Sequence, residues 1–120
     1  MAFNHIAFKK ENKIATITLN VPPSNWLTIL MMKEINEVLI DVKKDASVQM
    51  LVFDQAGDKA FCDGVDVADH TEDKVDEMID VFHRMFRHLI EIDKRKKPKY
   101  MFWNRTKHRA AKKIRGQTKK

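Results

Sequence analysis

A chain of 120 residues is long enough for one domain with a single modest core and too short for two. Hydrophobic residues make up 43% of it, the formal net charge is +6, and its single cysteine, Cys62, excludes an intramolecular disulfide, so we expect a reducing compartment. Because the sequence has neither a secretory signal at its start nor an apolar run of about 18 residues, we predict a cytoplasmic protein without a membrane span.

Two short apolar runs near the start predict a β-hairpin. Residues 5–8 and 14–19 are rich in apolar and β-branched residues, and the polar residues 9–13 between them supply a turn. Residues 20–24 contain two consecutive prolines, which cannot donate to a strand ladder. We therefore expect a loop after the hairpin.

The next elements alternate between helix and strand. From Thr28, which we predict to be an N-cap, apolar residues recur at helical spacing through Val42. The run Val48–Phe53 is too short and too apolar for a surface helix and fits a strand buried on both faces, as in a parallel sheet. A long helix follows, and its wide apolar stripe consists of Val75, Met78, Ile79, Phe82, Met85, Phe86, Leu89 and Ile90. This order predicts an α/β layered fold.

The charge divides sharply after the long helix. Residues 1–93 hold ten Lys and Arg against all 17 Asp and Glu, whereas residues 94–120 hold thirteen Lys and Arg and no acid. Helical periodicity also stops at this point, and little apolar surface is available afterwards to offset the entropy of ordering the chain. We predict one domain over residues 1–93, followed by a basic tail over residues 94–120 with little regular structure.

The stretch Leu51–Asp66 is the strongest candidate for a functional site. It predicts a buried strand followed by a tight loop around Gly64. Glycine permits a positive φ or a close approach of the backbone to a ligand, so such a loop can present a backbone N–H to an oxygen that carries negative charge.

Residues 5–93 carry the motifs of a known family in order. These motifs are the opening hairpin, Leu19-Asn20 with Pro22, the element Asn25-Trp26-Leu27, the amphipathic helix, and the loop KAFCDGVD from Lys59 to Asp66. They resemble the N-terminal portion of the enoyl-CoA hydratase/isomerase, or crotonase, family, whose loop has the pattern K-A-F-x-x-G-x-D. Residues 23–32 and 64–70 resemble most the hydratases that act on dienoyl-CoA or cyclic-diene acyl-CoA esters.

The resemblance implies a site for a coenzyme A thioester, which is the substrate, with no separate cofactor and no metal. In this family two backbone N–H groups bind the thioester carbonyl oxygen and stabilise the enolate-like charge that develops when water adds or a proton shifts. The residue after the loop glycine supplies one of them, and this position falls on Val65. The residues that would line the thioester and the pantetheine are Gly64, Val65, Asp66, Val67 and Ala68. Lys59 would meet a phosphate or the adenosine region, or is plain solvated surface.

The other half of that site has no counterpart in the sequence. In the family the second N–H donor follows a strand of the pattern P-x-I-A-x-V-N-G-x-A-x-G-G-G, but this chain has Pro98 and then no glycine until Gly116. Nothing corresponds to the two catalytic glutamates of a typical hydratase. We therefore expect a fragment of an enzyme of fatty acid metabolism that is inactive alone, or a non-enzymatic remnant that still binds acyl-CoA. Family members form trimers or hexamers with the help of C-terminal helices, and we do not expect that assembly here.

Other reactive residues have simpler interpretations. Cys62 lies in an apolar context without a His or an acid at an informative spacing, which favours a core filler over a nucleophile. His83 lies beside the apolar stripe of the long helix and His88 away from it, so we predict no ligand role for either. An acidic cluster fits no calcium loop, and we interpret it as a solvated start of the long helix; it consists of Asp63, Asp66, Asp69, Glu72 and Asp73.

Two explanations of the basic tail stay open. Thirteen cations with Tyr100, Phe102 and Trp103 could bind phosphates and stack on bases, which would make the chain a nucleic-acid-binding adaptor. A frameshift near Asp93 would instead replace the family's strand and glycine turn with arbitrary residues. We favour the frameshift, because the acids, the periodicity and the resemblance all stop at one point, and we do not expect a nucleic-acid partner.

Overall fold

The computed structural model describes residues 2–96, 100–103 and 112–113, with side chains for residues 2–93. Its elements in chain order are β1 (Ile6–Glu11), β2 (Ile14–Leu19), α1 (Ile29–Lys44), β3 (Met50–Gln55), a short 3-10 helix (Val67–His70), α2 (Val75–Lys96), β4 (Tyr100–Trp103) and β5 (Lys112–Lys113). The fold is a mixed α/β structure, which confirms the predicted class.

The hairpin forms as predicted, with a tighter turn than the polar run suggested. β1 and β2 pair antiparallel from Ile6 with Leu19 to Glu11 with Ile14, so the turn contains only two residues. These two, Asn12 and Lys13, have positive φ values of 55° and 67°. Two-residue hairpin turns of this kind match the twist of the flanking strands, and Asn is one of the residues that tolerates them.

The five strands form one sheet in the order of the chain. β3 lies parallel to both β2 and β4, and β5 pairs antiparallel with β4. Alternate residues of β2 and β3, Ala15, Ile17 and Leu51 among them, join the inward residues of both helices in one buried cluster. The prediction that β3 is buried on both faces is wrong, because Val52 and Asp54 on its other face are only half-buried. The side chains of α1 and α2 and the inward side chains of the strands therefore form one hydrophobic core on one face of the sheet.

The first helix forms as its periodicity predicts. Thr28 is the N-cap, and its hydroxyl accepts a hydrogen bond from the Met31 N–H at 3.0 Å. Such a cap satisfies one of the N–H groups that a helix leaves unpaired in its first turn. The inward face of α1 is almost fully buried and consists of Ile29, Met31, Met32, Ile35, Asn36, Val38, Leu39 and Val42.

The second helix presents its apolar stripe to two environments. Of the predicted stripe, Met78 and Met85 are buried, whereas Ile79, Phe86 and Ile90 are 43%, 47% and 57% exposed; Val81 and Ile92, outside the predicted stripe, are buried as well. Neither α1 nor α2 combines the length and apolar character that a membrane-spanning helix needs; this finding covers the described residues only.

The predicted positions of the two α2 histidines are reversed. His83 is exposed, whereas the side chain of His88 is 13% exposed and its Nδ1 lies 3.0 Å from Lys43 Nζ on α1. The buried face of α2 is therefore rotated about the helix axis relative to the predicted apolar stripe. One edge of the stripe faces the core, and the opposite edge is exposed.

Regular structure continues beyond the predicted domain boundary. α2 extends to Lys96, and β4 pairs with β3 from Met50 with Tyr100 to Phe53 with Trp103. β4 and the two residues of β5 fall within residues 94–120, and the division of the chain into one domain and a basic tail stays a prediction. β4 forms because the parallel edge of β3 gives its backbone groups partners. The other residues of the tail lie outside the described residues.

Candidate functional site

The candidate site lies where two loops meet at the carboxyl end of the parallel strands. The first loop follows β2 and ends at Thr28; the second follows β3 and contains Gly64. Leu27 and Val65 form an isolated parallel bridge between the loops. The Leu27 N–H donates to the Gly64 carbonyl at 2.8 Å, and the Asp66 N–H donates to the Leu27 carbonyl at 3.1 Å. A third backbone bond joins the Asp63 N–H to the Ser24 carbonyl at 2.9 Å.

This bridge determines the direction of the Val65 N–H. In a parallel bridge the partner residue binds the peptide groups on either side of the central residue, so the central residue's own N–H and C=O point the other way. Leu27 takes the Gly64 carbonyl and the Asp66 N–H, and the Val65 N–H therefore points away from Leu27. Within the described part of the chain no acceptor takes this N–H.

The backbone conformation at position 64 favours a glycine. Its φ is +108°, a value that residues with a Cβ rarely adopt, and a Cβ placed on it would meet no atom within 4 Å. The sequence analysis gave two reasons for a glycine here, a positive φ or a close approach of the backbone to a ligand. The structure without a ligand shows the first of them.

The predicted site residues fall into two groups. Gly64, Val65 and Asp66 lie together on the bridged segment, where all three are half-buried. Val67 and Ala68 open the 3-10 helix directly afterwards with exposed side chains, so they extend the same surface. Lys59 is exposed on the earlier part of the loop.

Cys62 packs beneath the loop as a small apolar residue. Its sulfur accepts a hydrogen bond from the Gly64 N–H at 3.4 Å, and the side chain lies against the core cluster. Burial raises the pKa of the thiol above its ordinary value, so the nucleophilic thiolate is disfavoured. The geometry supports the interpretation of Cys62 as a core filler.

The members of the acidic cluster make separate contacts, and one of them, Asp69, is wrongly predicted to be solvated. Asp69 is only 8% exposed, and its Oδ2 accepts a hydrogen bond from the Ile29 N–H at 3.0 Å, at the first residue of α1. A carboxylate there also interacts favourably with the helix dipole. Asp66 accepts from the Ala68 N–H at 3.0 Å, and Asp73 accepts from the Thr71 hydroxyl at 2.6 Å. Among the described residues no three His, Cys, Asp or Glu side chains are arranged to hold a metal ion.

Two buried amides near the site were given no structural or chemical role in the sequence-based predictions, although Asn25 belongs to the motif Asn25-Trp26-Leu27. Asn25 is fully buried and holds the two loops together through its side chain. Gln55 is 2% exposed at the end of β3, and neither polar atom of its side chain has a hydrogen-bond partner within the described part of the chain. A signal existed for Asn25, since Asn favours turns and tolerates the left-handed region, and its φ is +50°. Its distant partners could not be inferred from the local sequence.

The fold and the site together define an α/β protein that presents a backbone N–H from a glycine loop. Comparison with known families agrees, because the model of the enoyl-CoA hydratase/isomerase family matches residues 14–104. The chain belongs to this family.

The matches to individual relatives cover only part of this chain and a smaller part of each relative. The chain is 32% identical over 73 residues to a short-chain-enoyl-CoA hydratase of Clostridium acetobutylicum, a match that covers 60% of this chain and 28% of the relative. It is 37% identical over 67 residues to the mitochondrial 3-hydroxyisobutyryl-CoA hydrolase of Danio rerio, which covers 55% and 18%. The chain thus spans less than a third of the length of these curated relatives. Because one relative is a hydratase and the other a hydrolase, the similarity alone leaves the reaction open.

Solved structures agree at the level of the fold. The structure of DspI from Pseudomonas aeruginosa superposes with a TM-score of 0.68 at 24% identity, covering 74% of this chain and 36% of that one.

The family match also corrects the predicted end of the resemblance. It continues to residue 104, beyond Asp93. β4 lies two residues after Pro98, where the pattern P-x-I-A-x-V-N-G has its strand, and Asn104 stands at the asparagine of that pattern. The next residue is Arg105 in place of glycine. The departure from the pattern therefore begins about ten residues later than the sequence analysis expected.

Proposed function

We propose that this chain binds an acyl-CoA thioester, with the Val65 N–H as a hydrogen-bond donor to the thioester carbonyl oxygen. The observation that carries the proposal is the orientation of this N–H, which the Leu27 bridge turns away from the loop contacts. Gly64 to Ala68 would line the thioester and the pantetheine, and Lys59 would meet a phosphate or the adenosine of the same ligand.

The reaction that such a site supports is hydration or isomerisation of an enoyl-CoA. Addition of water, or a shift of a proton, places negative charge on the thioester oxygen, and a fixed N–H donor stabilises that charge in the transition state. The membership of the family supports this class of reaction. The hydratases of dienoyl-CoA or cyclic-diene esters remain the proposed branch within it.

The 120-residue chain alone is proposed to bind the thioester without turning it over. Arg105 stands where the pattern has the glycine that precedes the second donor, and no residue corresponds to the catalytic glutamates. Loss of one oxyanion donor costs about 100- to 1000-fold in turnover. Loss of general acid or base groups costs roughly another 100- to 10,000-fold. Hydration of crotonyl-CoA by the purified chain should be negligible, and turnover within about tenfold of an ordinary hydratase would contradict this part of the proposal.

Binding is tested by calorimetry with crotonyl-CoA as the ligand and with free coenzyme A and crotonate as separate controls. Val65→Pro removes the proposed donor N–H, which makes no other hydrogen bond among the described residues. We expect this variant to bind crotonyl-CoA about tenfold more weakly than the parent. Val65→Ala keeps the N–H and is the matched control, with affinity near that of the parent. Equal affinities for the two variants, both shown to be folded by circular dichroism, would exclude Val65 as the donor.

Binding of nucleic acid through the basic tail is the lower-ranked alternative. It rests on the thirteen Lys and Arg of residues 94–120. The backbone pairing of Tyr100–Trp103 with β3 favours a role for these residues in the sheet over a role as an extended stacking platform. Affinity for a single-stranded oligonucleotide that falls steeply with salt, and that is abolished by deleting residues 94–120, would favour this alternative, and affinity retained in that deletion would exclude it.

A further inference from the structure

The side chain of Asn25 joins the two loops of the candidate site. It is fully buried, its Oδ1 accepts from the Val21 N–H at 2.8 Å, and its Nδ2 donates to the carbonyls of Ala56 and Ala60 at 3.2 and 3.0 Å. Both N–H groups of the amide are therefore used, and the oxygen has a partner as well. The Asn25 side chain therefore joins the turn at residues 21–25 to the loop that follows β3.

Ser24 and Leu27, which are close to Asn25 in the chain, hold the other end of that loop. The Ser24 carbonyl accepts from the Asp63 N–H, and Leu27 makes the bridge that orients Val65. The segment 24–27 therefore contacts the glycine loop at its start through the Asn25 side chain and at its end through its own backbone. Movement of this segment would turn the Val65 peptide.

We propose that Asn25 is a positioning residue for the Val65 N–H. It acts through Leu27 and touches neither the thioester nor any reacting atom. The inference rests on the proposed function, since it assigns to Asn25 the direction of the donor that the thioester would use. The physical reason is that a hydrogen bond weakens steeply as its angle departs from linearity, so a donor on a loop is useful only when the loop is held still.

The residue type fits this role closely. The position needs one acceptor and two donors at the length of an Asn side chain, together with a backbone φ of +50° that Asn tolerates better than most residues. Asp has the same size and tolerates the same backbone. Ionised, however, it has no donor for the carbonyls of Ala56 and Ala60 and would face them with negative charge.

The test compares Asn25→Asp with Asn36→Asp. Asn36 is 6% exposed on α1, and its Nδ2 donates to the Val81 carbonyl on α2 at 3.2 Å. It is therefore a buried amide like Asn25, but its partner belongs to the helix layer. For each variant we would measure stability in urea, the affinity for crotonyl-CoA under conditions where the variant is folded, and the amide ¹H–¹⁵N shifts of Val65 and Asp66.

We expect both variants to lose stability and only Asn25→Asp to change the site. In Asn25→Asp the Val65 and Asp66 resonances should move, and the affinity for crotonyl-CoA should fall about tenfold or more. In Asn36→Asp the same resonances should stay in place, with affinity within about twofold of the parent. A merely structural asparagine would lower stability without moving the Val65 resonance in the folded molecule. Unchanged Val65 and Asp66 resonances in folded Asn25→Asp overturn the proposal.

Hydrogen exchange in the parent chain covers the case in which Asn25→Asp does not fold. The Asn25 side-chain N–H protons and the backbone N–H protons of Leu27, Asp63 and Asp66 should exchange with one common opening constant as urea is raised, because they would open as one unit. Exchange of the backbone group at least about tenfold faster than the Asn25 amide would show that the bridge opens independently of Asn25 and would overturn the proposal. If the parent chain binds no thioester, the proposed function fails by calorimetry, whereas the resonance and exchange measurements still decide the role of Asn25.

Discussion

The two loops of the candidate site and the two packed helices are held in different ways. In the loops a fully buried Asn25 has partners for both donors and for its acceptor, and backbone bonds align the neighbouring segments. In the helix layer apolar side chains fill most of the contact, and two of its buried polar atoms, Asn36 Oδ1 and His88 Nε2, have no partner among the described residues.

The difference indicates a division of roles between the two regions. Hydrogen bonds depend on direction, so a network of them fixes the orientation of a peptide group such as that of Val65. Apolar burial depends on area and not on direction, so the helix layer supplies stability without specifying the geometry of the loops. Substitutions in the two regions should therefore separate stability from site geometry.

The largest expected effect is a loss of stability from Leu39→Ala in the helix layer. Leu39 is fully buried on α1, and truncation of such a side chain removes its transfer free energy and leaves a cavity. We expect the free energy of unfolding, measured in urea, to fall by about 2–5 kcal/mol. Leu30 lies on the same helix at 59% exposure, so Leu30→Ala is the matched control, with a change within about 0.5 kcal/mol. The proposed division of roles fails if folded Leu39→Ala moves the Val65 resonance as far as Asn25→Asp does.

A smaller loss of stability, together with a change in the site, is expected for Gly64→Ala. No atom lies within 4 Å of the added Cβ, so the cost comes only from the φ of +108°. Such backbone strain costs about 1–3 kcal/mol, or the loop relaxes and turns the Val65 peptide instead. If the loop relaxes, the Val65 N–H is displaced and we expect weaker binding of crotonyl-CoA; if it does not, only the stability should fall.

Val65→Ala provides the comparison for Gly64→Ala, because it changes the next residue and is not at a positive φ. Urea unfolding and calorimetry of the two variants together would test the prediction. Parent-like stability and affinity in Gly64→Ala would mean that the loop does not depend on its glycine.

Local features of the fold follow from the sequence because their partners are near in the chain. The apolar spacing of α1, the alternation of β2 and the Thr28 cap all involve contacts within a few residues, and the structure confirms each of them. β4 was not predicted, since the surrounding lysines and arginines suggested a tail, whereas its backbone pairs with β3, about 50 residues earlier in the chain.

The errors at the candidate site share a cause, which is a partner far away in the sequence. Asp69 was expected to be solvated, but its carboxylate binds the Ile29 N–H, 40 residues earlier. The partners of Asn25 at Ala56 and Ala60 are 31 and 35 residues distant. A residue's type indicates which bonds it can make, but only the fold determines which group it meets.

The smallest effect that we expect is a dependence of stability on pH that comes from His88 in the helix layer. Burial, and then the positive charge of Lys43, lowers the pKa of His88 below its ordinary value of 6.5, and Arg84 and Arg87 act in the same direction while Glu91 opposes them. The His88 Nδ1 faces the Lys43 ammonium at 3.0 Å, so in the neutral ring it accepts a hydrogen bond there. A proton added at Nδ1 would replace this bond with repulsion between two cations.

The sign of the effect follows from where the proton binds. Below about pH 6.5 the unfolded chain takes up a proton at this histidine while the folded chain resists it, so stability is present above this pH and falls as the pH is lowered toward the folded pKa. Urea unfolding between about pH 5 and 7.5 would measure the slope. His88→Gln should reduce it. His83→Gln, at the exposed histidine of the same helix, should leave it as in the parent. An equal slope in both variants would mean that the buried histidine contact does not respond to pH.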